Sequence, residues 1–276
     1  MFKAGDKVAL VAMSNPLRME DEVRIAQLVQ KLKDMGVSPV LGDGIYEITT
    51  GEERAKVLMD FYRDEEVTAI FDISGGDIAN GVLPYLDYEE IACSTKVFWG
   101  YSDLTTLVNA IYTKTGKASV LYQIRNIISE EHGEQQTAEF HKMFLQESAD
   151  LYQVDYEFVQ GNELSGIVVG GNIRCFLKLA GTPYLPDLTG KVLLLEARSG
   201  LEMQVETYMS QLSQMGAFEK VSGVLLGTFT KLEAIKGMPR QEEILKKYVR
   251  EDLPVAVTRN IGHGTDSKAI WIGKEL

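Results

Sequence analysis

Histidine and cysteine are scarce in this chain, with three of the first (His132, His141, His263) and two of the second (Cys93, Cys175) among 276 residues. Two isolated cysteines supply neither a disulfide framework nor a CxxC metal pair. Each reads as a small buried hydrophobe rather than a reactive thiol. His132 and His141 lie nine positions apart, without an HExxH motif, which is a poor spacing for a shared metal. Both stand in a polar stretch and read as surface residues. No metal and no cofactor is expected. Long apolar runs are missing as well, since none approaches the roughly 20 residues of a transmembrane helix. The opening Met1-Phe2-Lys3-Ala4-Gly5-Asp6-Lys7 and the short run Val8 to Met13 lack a signal-peptide h-region and cleavage site, so a cytoplasmic protein is expected. Positive charge is in deficit: 28 Lys and Arg stand against 40 Asp and Glu, a net charge of −12. Such a surface repels phosphate backbones and anionic lipid, so neither nucleic acid nor membrane is the expected partner. Glycine-rich cofactor loops are also absent. Gly42-Asp43-Gly44-Ile45-Tyr46-Glu47 fails the GxGxxG pattern at its last position, and neither Gly116-Lys117 nor Gly190-Lys191 completes a P-loop.

What is present is a soluble-globular balance, 45% hydrophobic and 25% charged, in a length suited to one large or two modest domains. Val8 to Ala12 reads as a buried strand. Ile25, Leu28, Val29, Leu32 and Met35 then share one helical face that stops at Gly36. Strands follow at Val37 to Leu41, Val67 to Phe71 and Lys96 to Trp99, with helices at Glu52 to Arg63 and Leu104 to Tyr112. This alternation predicts an α/β fold with a mostly parallel sheet covered on both faces. Ligands collect at the carboxyl ends of such strands. From about Thr113 to Glu163 the pattern weakens, apart from a helix over Thr137 to Phe144. A second pattern begins near Leu164, with strands at Gly166 to Gly171, Val192 to Leu195, Gly223 to Leu226, Val255 to Val257 and Ala269 to Ile272. Helices are expected over Met203 to Met215 and Glu242 to Tyr248. The expected organisation is one domain over 1–125, a connection over 126–163 and a β-rich domain over 164–276.

Gly100-Tyr101-Ser102-Asp103-Leu104-Thr105 follows a strand and precedes a helix. Ser102 at that junction projects from the sheet's carboxyl end, beside unpaired N–H groups at the helix start that suit developing negative charge. A second reading of the same serine is an N-cap. Gly75-Gly76 ends the strand beside it, where a free backbone N–H can face a reacting carbonyl oxygen; a plain turn is the other reading. His263, framed by Gly262 and Gly264, is presented on a bare loop after a short strand. Glu196 ends the apolar run Val192 to Leu195 and needs a partner there, either an imidazolium or Arg198. Nucleophile, acid and base therefore stand in the order Ser, Glu, His, each at a strand end.

Those residues carry a resemblance. Ser74-Gly75-Gly76, Leu83-Pro84-Tyr85-Leu86-Asp87 and Gly100 to Thr105 resemble the nucleophile domain of the LD-carboxypeptidases, serine peptidase family S66. Gly170-Gly171-Asn172, Gly181 to Pro186, Leu195-Glu196 and Gly262-His263-Gly264 extend the resemblance over nearly the whole chain. It implies Ser102 as nucleophile, His263 as general base, Glu196 as the acid orienting it, and the N–H groups of Gly76 and Asp103 as an oxyanion hole. It also implies an N-terminal αβα, Rossmann-like nucleophile domain, a C-terminal β-rich domain supplying Glu and His, and a homodimer. The implied activity is release of the C-terminal D-alanine from murein tetrapeptides through an acyl-enzyme, with a small peptide as the partner. The chain departs from the family pattern in three places. Ser74 and Asp77 stand where Arg and Tyr are usual, Ala197 where an acid is frequent, and Tyr122-Gln123 where a Gly-Pro is common. The Gly-Gly region is also similar to the microcin C immunity branch, which implies acyl-aspartyl or peptide–nucleotide conjugates as alternative substrates. A non-catalytic peptide-binding module is a third reading.

Overall fold

Alternate residues of the first strand, β1 (Lys7–Val11), belong to opposite cores. Val8 and Leu10 pack with Leu28, Leu32 and Phe140, while Ala9 and Val11 pack with Leu58, Leu107 and Ile111. A strand buried on both faces must be apolar at every position, which is why the run reads as continuous rather than alternating. The computed structural model describes residues 5–145 and 147–276. The first four residues of the N-terminal stretch lie outside it.

Five further strands complete the first sheet: β2 (Ser38–Leu41), β3 (Val67–Asp72), β4 (Val97–Gly100), β5 (Ser119–Leu121) and β11 (Ile270–Ile272), in the order β11-β5-β4-β3-β1-β2. All pairings are parallel except that of β11 with β5. Helices α1 (Glu22–Asp34), α2 (Gly51–Arg63), α3 (Tyr88–Cys93) and α4 (Thr105–Thr115) connect the strands. Thr50 and Glu53 close a reciprocal capping box at the start of α2, each accepting from the other's backbone N–H (3.2 and 2.7 Å).

A second sheet is ordered β6-β10-β9-β8-β7, from β6 (Glu157–Gln160), β7 (Val168–Asn172), β8 (Val192–Ala197), β9 (Gly223–Phe229) and β10 (Val255–Val257). It is parallel apart from β6. Helices α6 (Ile173–Phe176), α7 (Glu202–Gln214), α8 (Ala217–Lys220), α9 (Thr230–Glu233) and α10 (Gln241–Leu245) accompany it. The polar stretch before it holds α5 (Gly133–Phe144), whose Phe140, Met143 and Phe144 bury against the first sheet beside Trp99 and Tyr122.

Helix α4 joins the two sheets. Asn109 exchanges two hydrogen bonds with the backbone of Gly170 (2.8 and 2.9 Å), and Thr105 Oγ1 accepts from the Asn172 N–H at 3.0 Å. A Cβ on Gly171 would stand 2.8 Å from Thr105 Oγ1, so only glycine permits this approach. One apolar core runs through the contact without a break. Of the two cysteines, Cys175 is buried and burial pushes its thiol up, but Cys93 is exposed. The expectation of a buried Cys93 is corrected: it ends the six-residue α3, whose inward contact is made by Ile91.

Candidate active site

Ser102 follows β4 with φ +55°, the one positive φ of a non-glycine residue among the described residues. Such a conformation costs on the order of 1–3 kcal/mol and persists only where surrounding structure imposes it. Here Tyr101 and Asp103 impose it from either side, both buried. The Asp103 carboxylate accepts from Ser14 Oγ (2.6 Å), the Ala79 N–H (2.8 Å) and Lys178 Nζ. Ser102 does not cap the helix through its side chain; its Oγ lies 3.1 Å from His263 Nε2.

The His263 loop is anchored by its glycine neighbour. A Cβ on Gly262 would fall 1.7 Å from Thr228 Oγ1, so this backbone sits directly on β9. The Gly262 carbonyl accepts from Tyr101 Oη and from Ser267 Oγ (2.6 Å). The Tyr101 ring packs on the imidazole with centroids 4.8 Å apart. Burial and the neighbouring Glu196 carboxylate hold the Tyr101 phenol well above its usual 10.0, so it stays a neutral donor.

Glu196 is fully buried at the carboxyl end of β8, where the register with β9 shifts between Leu195 and Ala197. Such an irregularity re-aims a side chain. Its Oε2 lies 2.7 Å from His263 Nδ1, and Oε1 is buried with no hydrogen-bond partner among the described residues. Of the two partners considered for Glu196, the structure supplies the imidazole and not Arg198, which is exposed. A carboxylate can only accept, so Nδ1 carries the hydrogen and Nε2 presents a lone pair to Ser102. An imidazole held this way can take a hydroxyl proton and shelter the resulting charge.

Across the groove stands the Gly75–Gly76 loop. Asn15 Oδ1 accepts from the Asp77 N–H (3.0 Å), and Arg174 donates to the Gly76 carbonyl (3.0 Å) and to the Asp77 carboxylate. The Arg54 guanidinium ties Met13, Thr49 and Ile78 through their carbonyls, at 3.2, 2.5 and 3.2 Å. Among the described residues neither the Gly76 nor the Asp103 N–H has an acceptor within the chain. The other two histidines lie outside the Ser102 contact. His132 Nδ1 stands 2.8 Å from Thr265 Oγ1, tethering the loop that carries His263, and His141 stacks on Phe144. No cluster of three metal-ligating side chains occurs among the described residues.

Beneath that loop, Asp72 is fully buried and accepts from the Met13 N–H (2.7 Å), the Ser74 N–H (2.7 Å) and Ser74 Oγ (2.6 Å). Burial nevertheless pushes its carboxyl up from 3.8 to about 6. Between those values the folded protein holds a proton that the unfolded chain has lost. The contribution is therefore full below pH 3.8 and lost as pH rises through about 6. It amounts to about 3 kcal/mol. In urea unfolding, the stability of the parent relative to Asp72→Asn is expected to fall by about that amount between about pH 4 and pH 7. A difference independent of pH would refute the assignment.

A groove runs past Ser102 in two lobes, of about 530 and 410 Å³, which share Gly76, Ser102 and Arg198. Arg18, Arg24 and Arg125 line the larger with His263, and Arg174 and Lys231 line the smaller. In a chain of net charge −12 these lobes hold six cationic side chains against two carboxylates, Asp21 and Asp77.

Residues 8–123 match the LD-carboxypeptidase N-terminal domain, and residues 165–276 match the LD-carboxypeptidase C-terminal domain. The chain belongs to the LD-carboxypeptidase family, peptidase family S66. It is similar to the probable murein peptide carboxypeptidase of Bacillus subtilis (27% identity, covering 98% of this chain and 87% of the relative). It is also similar to the microcin C7 self-immunity protein of Escherichia coli (24% identity, 99% and 90%). A solved structure of microcin C7 self-immunity protein superposes with TM-score 0.88 (23% identity, 99% and 93%). A muramoyltetrapeptide carboxypeptidase from Oxalobacter formigenes gives 0.82 (22% identity, 98% and 93%). These two likenesses establish the mixed α/β, two-domain fold that this S66 peptidase adopts. Among the described residues no helix is long and apolar enough to cross a membrane.

The residues that sequence reasoning did not find are Tyr101, Asn15, Lys178 and the side chain of Asp103. Each acts through a partner distant in sequence, such as the 75 positions between Lys178 and Asp103. A tyrosine and an aspartate flanking the serine are the only local trace of them.

Proposed function

We propose that this chain is a serine carboxypeptidase that releases the C-terminal D-alanine of murein tetrapeptides. The observation that carries the proposal is the hydrogen-bonded line from strained Ser102 through His263 to buried Glu196. Ser102 Oγ attacks the carbonyl carbon before D-alanine as His263 Nε2 takes its proton. Glu196 stabilises the imidazolium, and the N–H groups of Gly76 and Asp103 receive the oxyanion. The imidazolium then returns the proton to the leaving amine, giving free D-alanine and an acyl ester on Ser102. Water, deprotonated by the same His263, hydrolyses that ester. The test is release of D-alanine from a muramyl tetrapeptide, together with labelling of Ser102 by a fluorophosphonate. Absence of both would favour a non-catalytic binding module.

Gly76 makes the oxyanion site sensitive to one methyl group. Its φ is +137°, and a Cβ there would lie 2.2 Å from the Asn15 side chain. Gly76→Ala must therefore swing its N–H away. A loss of about 10²–10³ in kcat is expected, the usual cost of one oxyanion donor. Retention of kcat within about tenfold would remove Gly76 from that role.

A second reading has support in the groove, because the lobe of about 530 Å³ lined by His263 exceeds the needs of a leaving alanine. A microcin C7 self-immunity structure contains aspartyl sulfamoyl adenosine. The same Ser102 chemistry would cleave an acyl-aspartyl nucleotide conjugate. Competing kcat/KM values on tetrapeptide and on such a conjugate separate the readings.

A further inference from the structure

Arg125 leaves the sheet beside the serine. Strands β4 and β5 pair through Trp99–Val120 and Gly100–Leu121, and the Tyr122 N–H continues the ladder to the Gly100 carbonyl at 3.0 Å. Ser102 and Arg125 thus emerge from neighbouring carboxyl ends. Arg125 is partly buried and lines the larger lobe together with Ser102 and His263. Among the described residues its guanidinium has neither a hydrogen bond nor an ion pair. A guanidinium carries five donors, and leaving them unmet away from bulk water is unfavourable. Other cations of the groove differ in this respect. Arg174 is bound to Asp77 and Gly76, Arg18 pairs with Glu20, and Arg24 and Arg198 are exposed.

Charged groups of both signs surround Arg125. Asp21 and Asp72 act on it with negative charge, Arg24 and Arg198 with positive charge. Asp72 is already occupied by Met13 and Ser74, and Asp21 makes no ion pair with Arg125. A ligand carboxylate entering the lobe can replace water on the guanidinium donors.

We propose that Arg125, flanked by Arg24 and Arg198, is the carboxylate-binding group of this groove. The inference rests on the reading of Ser102 and His263 given above. His263 lines this lobe and not the other, and it must reach the leaving amine. The leaving amino acid carries its carboxylate on the carbon bonded to that amine. A planar guanidinium meets a carboxylate with two parallel hydrogen bonds, which the point charge of lysine cannot copy. A carboxylate on the acyl part of the peptide is the other source of the same chemistry.

The test uses the full chain carrying Ser102→Ala, so that binding is read without turnover. Calorimetry compares a murein tetrapeptide ending in D-alanine with its C-terminal amide, with Arg125 retained, R125K or R125Q. R125Q is expected to weaken the acid about ten- to hundredfold while changing the amide less than about twofold, with R125K between. Removing an unpaired, partly buried charge should leave Tm undiminished. Equal weakening of acid and amide supports the anion site and assigns it to a carboxylate of the acyl part. Unchanged binding of the acid by R125Q overturns the proposal. If the Arg125 protein binds neither peptide, the murein reading fails, and sulfate decides the anion site separately. At constant ionic strength sulfate should raise Tm above chloride with Arg125 present and not in R125Q; an equal response overturns it.

Discussion

Ser102→Ala is expected to lower kcat by about four to six orders of magnitude while leaving the fold intact. The oxygen removed is the one 3.1 Å from His263 Nε2, and among the described residues no other hydroxyl lies within hydrogen-bonding distance of that nitrogen. What survives is the help of the oxyanion donors and of substrate positioning, typically 10³–10⁴ over water. The backbone strain at φ +55° also survives, because alanine carries the same Cβ. Ser102→Gly is the control: equally inactive, and more stable by on the order of 1 kcal/mol once the strain is relieved. The measurement is D-alanine release by chromatography alongside thermal unfolding of both variants. Turnover by Ser102→Ala at a tenth of the parental rate would dispose of the serine mechanism.

Glu196→Gln is expected to cost about 10⁴ in kcat, as loss of the orienting charge does in other triads. The side chain is fully buried and has two inequivalent oxygen positions. Oε2 faces His263 Nδ1 at 2.7 Å, and Oε1 has no partner among the described residues. A glutamine with its amide nitrogen toward His263 moves the ring hydrogen to Nε2, where it can no longer accept from Ser102. With its oxygen toward His263, the amide N–H groups are buried at the Oε1 position without an acceptor, at a cost of about 1–3 kcal/mol. Either orientation also removes the charge that stabilises the imidazolium. Stability should therefore fall modestly and kcat steeply, with KM nearly constant. A variant within tenfold of the parent in kcat would show that Glu196 has only a structural role.

The sequence made strand ends legible because a parallel sheet buries its strands on both faces, leaving apolar runs that stop where function begins. Ser102, Glu196 and His263 each stand one or two residues past such a run or on the loop after it. The glycines around His263 signalled an exposed loop, and the structure adds that Gly262 is required by Thr228 packed against it. Strand β5 escaped notice because it has three residues and begins with a serine, Ser119. The place of β11 also escaped, since hydropathy marks a strand without naming its neighbour. The cationic groove was equally hidden. Arg24, Arg125 and Arg198 are far apart in the chain: α1 packs on the segment Ile124–Ile128 that carries Arg125, and the docking of α4 on β7 brings up the sheet that carries Arg198.

The two flanks of the His263 loop belong to different sheets. Strand β10 enters from the second sheet, paired with β9, and β11 leaves into the first, paired with β5. The imidazole is thus carried on a strap sewn to both halves of the molecule. Any rotation that pried the halves apart would drag the base off the serine or tear one of those two ladders. Glu196 would stay with one half and Ser102 with the other. Proton transfer therefore reports on the docked state itself: a molecule whose halves have parted keeps every residue of the site and loses the relay.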